Sequence, residues 1–478
     1  MTGYHLRRRR PSLYCYILAK LLALAAVSLD ASKAENIMKP VEKQITHGAG
    51  GKILTNTGVW SLDGGWIVYD TRSDPAGEVF DGLTIDMVNI RTSEVKELYH
   101  SINGARCGVA SFNPRRNQIV FILGPENPTL DWSYGPFHRQ GVVLDLEKLQ
   151  RTAHGVVVNL DARDLTPPFT PGALRGGTHL QVWDGAGEWV AFTYEDHLLA
   201  QFEKESPTNE VNLRNVGVCV PGRPVRVPKD HPRNHDGEYF SVIVTRTVAN
   251  PRPGSDEIKR ASEEAWVGTN GYVRPDGTRQ HRALAFQGRL AGVNNETNSE
   301  VFIVDLPEDV TLAGDGPLAG TAGRMPFPPK GATQRRLTHT MGRKFPGLQG
   351  PRHWLRSSPD GSRIAFLMKD ETGVVQLWTI SPNGGEPSRI THNELPVSST
   401  FTWRPDGRHL AHTMDNSVCI TEVDSGITTR LTPRCDDAVA PRPEACVFSP
   451  DGSRIAFVRR LASAGRYANQ ICVVSFKP

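Results

Sequence analysis

Cysteine is scarce, with seven in 478 residues, and no Cys-x-x-Cys pair occurs. That removes the usual zinc-ribbon and dithiol redox arrangements. No Gly-x-Ser-x-Gly elbow is present, so the serine nucleophile of an α/β-hydrolase is missing. A phosphate loop and a dinucleotide fingerprint are missing too. Long, strongly periodic helical segments are lacking. The chain also lacks a real charge excess. Its formal net charge is +4, but residues 1–34 hold six Lys/Arg against one Asp, which leaves the remainder near −1. Without a basic stripe, nucleic acid is excluded as a partner.

Residues 1–34 read as a cleaved export signal, with an uncleaved membrane anchor or a mis-assigned start as the alternatives. Arg7 to Arg10 form a basic start, Leu13 to Leu29 is mostly apolar despite Lys20, and Ser32-Lys33-Ala34 offers small residues for cleavage. The expectation is a periplasmic or secreted protein with no stable membrane span after signal removal. Six cysteines then remain. Cys435 and Cys446 flank one loop and form the best candidate disulfide; Cys419 and Cys472 sit in apolar runs and read as core residues.

Glycine (45) and proline (35) are plentiful, which suits many short strands joined by turns. One phrase is written three times: Ser358-Pro359-Asp360-Gly361-Ser362-Arg363-Ile364-Ala365-Phe366, Arg404-Pro405-Asp406-Gly407-Arg408-His409-Leu410-Ala411-His412, and Ser449-Pro450-Asp451-Gly452-Ser453-Arg454-Ile455-Ala456-Phe457. Its glycines fall 46 and 45 residues apart. Pro fixes φ, Asp-Gly supplies a turn with positive φ, and the apolar run is a buried strand. A period of ~40–50 residues built this way marks a propeller blade.

The fold expected is therefore all-β, a single β-propeller over 35–478. Seven four-stranded blades fit best, with six and eight as alternatives. Weaker copies begin at Trp60, Phe112 and Val182. Blade four is read from Tyr239–Thr245, Arg282–Phe286, Val301–Leu306 and Arg335–Thr338, with two degenerate blades as the alternative; the insertion around 250–335 includes an acidic stretch, 255–264, read as a solvated cap or a short helix over the funnel. The last unit lacks a final strand. Gln44-Ile45-Thr46-His47 matches Arg336-Leu337-Thr338-His339 and Arg389-Ile390-Thr391-His392, so the N-terminal end is expected to complete the last blade.

These phrases resemble TolB-type propeller repeats. Longer strings resemble one uncharacterised bacterial family, the YidR-like proteins: Gly51-Lys52-Ile53-Leu54-Thr55-Asn56-Thr57, Leu174-Arg175-Gly176-Gly177-Thr178-His179, Phe192-Thr193-Tyr194-Glu195-Asp196-His197 and Pro351-Arg352-His353-Trp354. The resemblance covers about residues 43–475 and implies the fold without an activity.

Propeller topology puts the residues just before a first strand, or just after a second, around one funnel. Arg72, Glu126, Asn127, Asp196, Arg352, Asp370 and Asp415 fall there as candidate ligand-binding residues. His179, His197, His231, His235 and His353 are candidate ligands for a divalent metal such as Mn, Zn or Ca. This arrangement resembles that of oligogalacturonate lyases. The resemblance implies a metal and arginines neutralising a uronate carboxylate while a base removes the adjacent proton. The first reading, however, is a monomeric module that binds a small carbohydrate or a protein partner on its funnel face without catalysis, and the metal-dependent lyase or hydrolase is the alternative. His47, His339 and His392 share one repeat position and read as blade signature. Trp132 and Trp266 lie in irregular stretches and are stacking candidates.

Overall fold

The computed structural model describes residues 40–55, 57–149, 157–205, 211–291, 297–351, 354–463 and 465–476. Seven four-stranded antiparallel sheets follow one another, and the first strands of blades three to seven line one axial cavity. Blade one holds Gly51–Ile53, Trp66–Arg72, Thr84–Asn89 and Val95–His100. Blade two holds Cys107–Phe112, Gln118–Leu123, Gln140–Asp145 and Val157–Asn159. Blade three holds Gly176–Trp183, Val190–Asp196, Asn215–Val220 and Phe240–Ile243. Blade four holds Ile258–Trp266, Ala283–Ala291, Thr297–Asp305 and Thr333–Arg336. Blades five and six start at Arg356–Ser357 and Thr402–Trp403. Blade seven holds Pro441–Phe448, Arg454–Ser463 and Arg466–Ser475, and Val41–Gln44 completes it.

The closing pair is antiparallel, with Val41 opposite Ser475 and Gln44 opposite Cys472. It begins a few residues before the phrase that announces it. Ile45 still donates its N–H to Ile471 O at 2.9 Å.

The Thr of the Ile-Thr-His phrase has a physical role. Ile471 N donates to Thr46 Oγ1 (2.8 Å), Val301 N to Thr338 Oγ1 (2.8 Å), Leu377 N to Thr391 Oγ1 (2.9 Å), and Val418 N to Thr432 Oγ1 (2.9 Å). Thr46 and Thr391 in turn donate to the buried Gln470 and Gln376. The hydroxyl thus finishes the ladder where the outer strand ends. The neighbouring His47, His339 and His392 are exposed, as expected of a repeat signature.

The Asp-Gly turns close as read. Ser358 N donates to Arg363 O (2.8 Å) and Ser362 N to Asp360 Oδ1 (3.0 Å). Gly361 has φ +76°, and a Cβ there would meet Gly271 O at 2.1 Å. Apolar side chains interlock between blades. Trp189, Val216 and Val242 of blade three pack with Ile258, Phe286 and Phe302 of blade four.

Three expectations need correction. Residues 258–266 are the inner strand of blade four, not a helix: Ile258, Ala261 and Ala265 are buried, and the segment pairs with Ala283–Ala291. Tyr239–Thr245 does not open blade four, because Phe240–Ile243 is the outer strand of blade three. Cys435 and Cys446 are not bonded. Cys446 is buried in blade seven, whereas Cys435 Sγ takes a hydrogen bond from Arg459 Nη1 at 2.8 Å. Cys419 and Cys472 are buried as read.

Candidate functional site

Three loops gather at the channel mouth beside blades one to three. Arg72 ends the second strand of blade one. It donates through Nε to Asp70 (3.0 Å) and through Nη1 to Gly77 O (3.1 Å), and lies 5.0 Å over the Phe80 ring. Phe80 stacks on Tyr134 of blade two at 4.3 Å. Arg139 and Arg214 sit directly before the third strands of blades two and three. Glu195 lies between them, 2.8 Å from Arg214 and 4.0 Å from Arg139. Arg260 lies close to Arg214 and Glu195.

His179, on the inner strand of blade three, faces this group. Burial first, then the charges of Arg139, Arg214 and Arg72, push its imidazole well below the usual range. It is therefore neutral at physiological pH. The Nε atoms of Arg139 and Arg214 are buried and have no acceptor within the protein. A buried guanidinium N–H without a partner is costly. The mouth thus holds positive charge with donors left over, which suits an entering anion.

The backbone beneath is irregular in a repeated way. The inner strands of blades two, three and four carry an extra residue against their partner at Gly108–Ser111, His179–Val182 and Ser262–Ala265, and blade four has a second at Ile258–Arg260. Within these bulges Val109, Leu180 and Glu263 have φ +61°, +58° and +59°. Such values are strained for non-glycine residues, above all for β-branched Val109. The Val109 bulge turns its N–H onto Asp70 Oδ1 at 2.9 Å, which anchors the partner of Arg72. Bulges re-aim side chains at such places.

A second cluster ties the outer loops of blades two and three. Trp132 stacks on His138 at 3.9 Å and meets the edge of His197 at 4.6 Å, with Arg163 and Arg233 at 5.4 and 5.6 Å from its ring. His138 Nδ1 faces Ser133 O at 2.8 Å, so it carries the proton. His138 Nε2 then accepts from His197 Nδ1 at 3.0 Å. Burial, aided by His138 and the nearby cations, brings His197 down to about 3.

The sequence candidates scatter across these settings. Arg72 and His179 stand at the mouth. His197 and His231 border Trp132; the Nδ1 of His231 accepts from Arg233 N. Glu126 is exposed and accepts from Asn103 (3.0 Å), while the Asn127 carbonyl accepts from Arg233 (3.0 Å). His235 is drawn down to about 3 by burial and Arg163, and its Nε2 has no partner within the protein. Asp196 is fully buried against Arg175. Asp370 organises a turn: burial would raise its pKa, but hydrogen bonds from Thr372 and Val374 outweigh that and bring it to about 2. Asp415 and Asn416 have φ +48° and +55°, the pair a two-residue hairpin turn requires, and Asp415 is bound by Arg430 and Arg434. Arg352 and His353 lie outside the described residues. Among the described residues, no three His, Cys, Asp or Glu side chains converge as a metal site.

Trp266 is a strut. Its Nε1 donates to Val182 O (2.9 Å), as Trp60 does to Val447 O (3.0 Å) and Trp403 to Arg356 O (2.9 Å). Each spans two neighbouring inner strands. Sequence reasoning missed Arg139 and Arg214. Their shared position before a third strand was the available signal.

Comparison with known proteins gives the same architecture. Residues 106–235 match a family described as "Protein of unknown function (DUF3748)". An oligogalacturonate lyase in complex with manganese has a TM-score of 0.51 at 9% identity, over 92% of this chain and 96% of that one. The oligogalacturonate lyase of Vibrio parahaemolyticus gives 0.52 at 9% identity, over 92% and 98%. At that identity the likeness shows the propeller fold. The uncharacterized protein YidR of Escherichia coli K12 is 44% identical over 420 residues, 87% of this chain and 94% of its own length. The chain belongs to the YidR-like family of β-propellers.

Proposed function

We propose that the protein is an exported, monomeric binding propeller whose mouth receives the carboxylates of a small acidic carbohydrate, without a covalent step. One observation carries this reading: Arg139 and Arg214 flank neutral His179 with buried Nε donors that lack an acceptor. A carboxylate bound there completes both donors in charge-assisted bonds. Export rests on the N-terminal signal, and no helix of the described residues is long and apolar enough to cross a membrane.

The test is calorimetry with trigalacturonate and its neutral reduced analogue. The acidic ligand is expected to bind and the neutral one not. Arg139→Met and Arg214→Met are each expected to weaken binding by about 10- to 100-fold, the worth of a hydrogen bond to a charged group. Equal affinity for both ligands would end the proposal.

A metal-dependent lyase acting on acidic oligosaccharides is the second reading, supported by the fold likeness to the manganese-bound lyase. The residues present fit a metal poorly. His179 stands among guanidinium groups that repel a cation, and His197 and His231 do not share a point with it and a carboxylate. No catalytic step is therefore derived. Metal analysis of the purified chain decides between the readings: one Mn, Zn or Ca per chain, lost in His179→Ala, would favour the lyase.

A further inference from the structure

The positive charge of the mouth continues past Arg214 onto blade four. The bulge at Ile258–Arg260 makes Lys259 the extra residue and sets Arg260 directly opposite Arg289 of the second strand. Opposed residues of an antiparallel pair hold their side chains on one face, close together, and two like charges so placed are destabilising. Arg260 is crowded from blade three as well. Burial first, then the charge of Arg214, pulls its guanidinium below the usual range, and Arg289 adds to this against the pull of Glu195 and Glu263. Among the described residues, neither Arg260 nor Arg289 has a carboxylate within ion-pair distance. Arg260 is half-buried and Arg289 exposed.

We propose that Arg260 and Arg289 form a second anion point, so that the mouth selects a chain with carboxylates on two consecutive sugars over a single uronate, an inference that rests on the carboxylate reading of the mouth. The charges agree with two anions. Glu195 is shared by Arg139 and Arg214, and Glu263 is the other acid near Arg260, so the run of Arg139, Arg214, Arg260 and Arg289 keeps two positive charges over. Arg260 links the two points, because its charge acts on Arg214 on one side and on Arg289 on the other. The points differ in build. The first holds a carboxylate on the buried Nε donors of Arg139 and Arg214. At the second, an anion between the two guanidinium groups screens their repulsion and gives each a charge-assisted partner.

Calorimetry on the full chain with galacturonate, digalacturonate and the two monomethyl esters of digalacturonate tests this. Digalacturonate is expected to bind at least about 10-fold more tightly than galacturonate or either ester, the difference made by hydrogen bonds to one more charged group. Arg289→Met should weaken digalacturonate by about 3- to 5-fold, the upper range for an exposed ion pair, and leave galacturonate within about 2-fold. Its melting temperature should be no lower than that of the wild type, since a like-charge pair is relieved. Arg214→Met should weaken galacturonate and digalacturonate alike, which separates the two points. The ligand preference needs no variant and stands even where one fails to fold. Digalacturonate no tighter than its esters would overturn the second point, even where Arg214-dependent binding of galacturonate upholds the mouth. So would an Arg289→Met protein that melts lower and loses both ligands equally. Absence of binding by every acid would remove both points together.

Discussion

Asp196 illustrates how a site-like residue is distinguished from a structural one. Its carboxylate and the Arg175 guanidinium are both fully buried. Asp196 Oδ2 accepts from Arg175 Nε (2.9 Å) and Nη2 (2.6 Å) and from Tyr194 OH (2.9 Å). Oδ1 accepts from Leu199 N (3.0 Å) at the start of the helix His197–Glu205. Arg175 also donates to Thr321 O and Arg324 O, so one carboxylate anchors the Arg324 loop to blade three. Asp196→Asn keeps the shape but leaves a buried cation facing an amide. Removing one partner of a buried pair costs ~3–5 kcal/mol. With an unfolding entropy of ~2.1 cal/mol/K per residue, that lowers the melting temperature by about 4 °C for a chain of this length. Arg175→Met with Asp196→Leu should recover most of the loss, because no charge stays stranded. The assay is calorimetric or fluorescence-monitored melting beside trigalacturonate binding. An Asp196→Asn protein that melts within about 1 °C of wild type yet loses the ligand would refute the structural role.

Other expectations follow from the same geometry. His412 is fully buried, its Nε2 lies 2.8 Å from Thr421 Oγ1, and burial brings its pKa down to about 4. The unfolded chain takes up that proton first, near pH 6.5, so this contribution is intact above pH 6.5. It falls by about 1.4 kcal/mol per unit down to about pH 4, and denaturant titrations should show a shallower acid slope in His412→Gln. Thr46→Val strands Ile471 N at the ring closure and should cost ~1–3 kcal/mol by the same titration. Gly361→Ala combines positive φ with a Cβ at 2.1 Å from Gly271 O, whereas Gly384→Ala has φ +90° and open space. Denaturant midpoints should place the first well beyond the ~1–2 kcal/mol of the second.

The repeat was legible because three sharp turns recur with β-branched strands behind them, and the closing strand because its phrase is copied elsewhere. Blade four was obscured because its inner strand reads Ile258-Lys259-Arg260-Ala261-Ser262-Glu263-Glu264-Ala265-Trp266. Charged residues that face the channel hide the alternation of a strand. The bulge at Glu263 then shifts its phase by one residue. Asp370 and Asp415 looked like site residues because the turns they build also want acidic side chains. The mouth was half legible. Arg72 and His179 were found from strand ends, but Arg139 and Arg214 serve it only because a ring brings separate blades together.

The central claim is that the arginines of the mouth hold an anion. A crystal structure of the full chain with trigalacturonate measures this most directly. The account predicts a ligand carboxylate about 3 Å from Arg139 Nε and Arg214 Nε, the normal hydrogen-bond distance. A ligand seated elsewhere on the disc, with water alone on those two atoms, would contradict it.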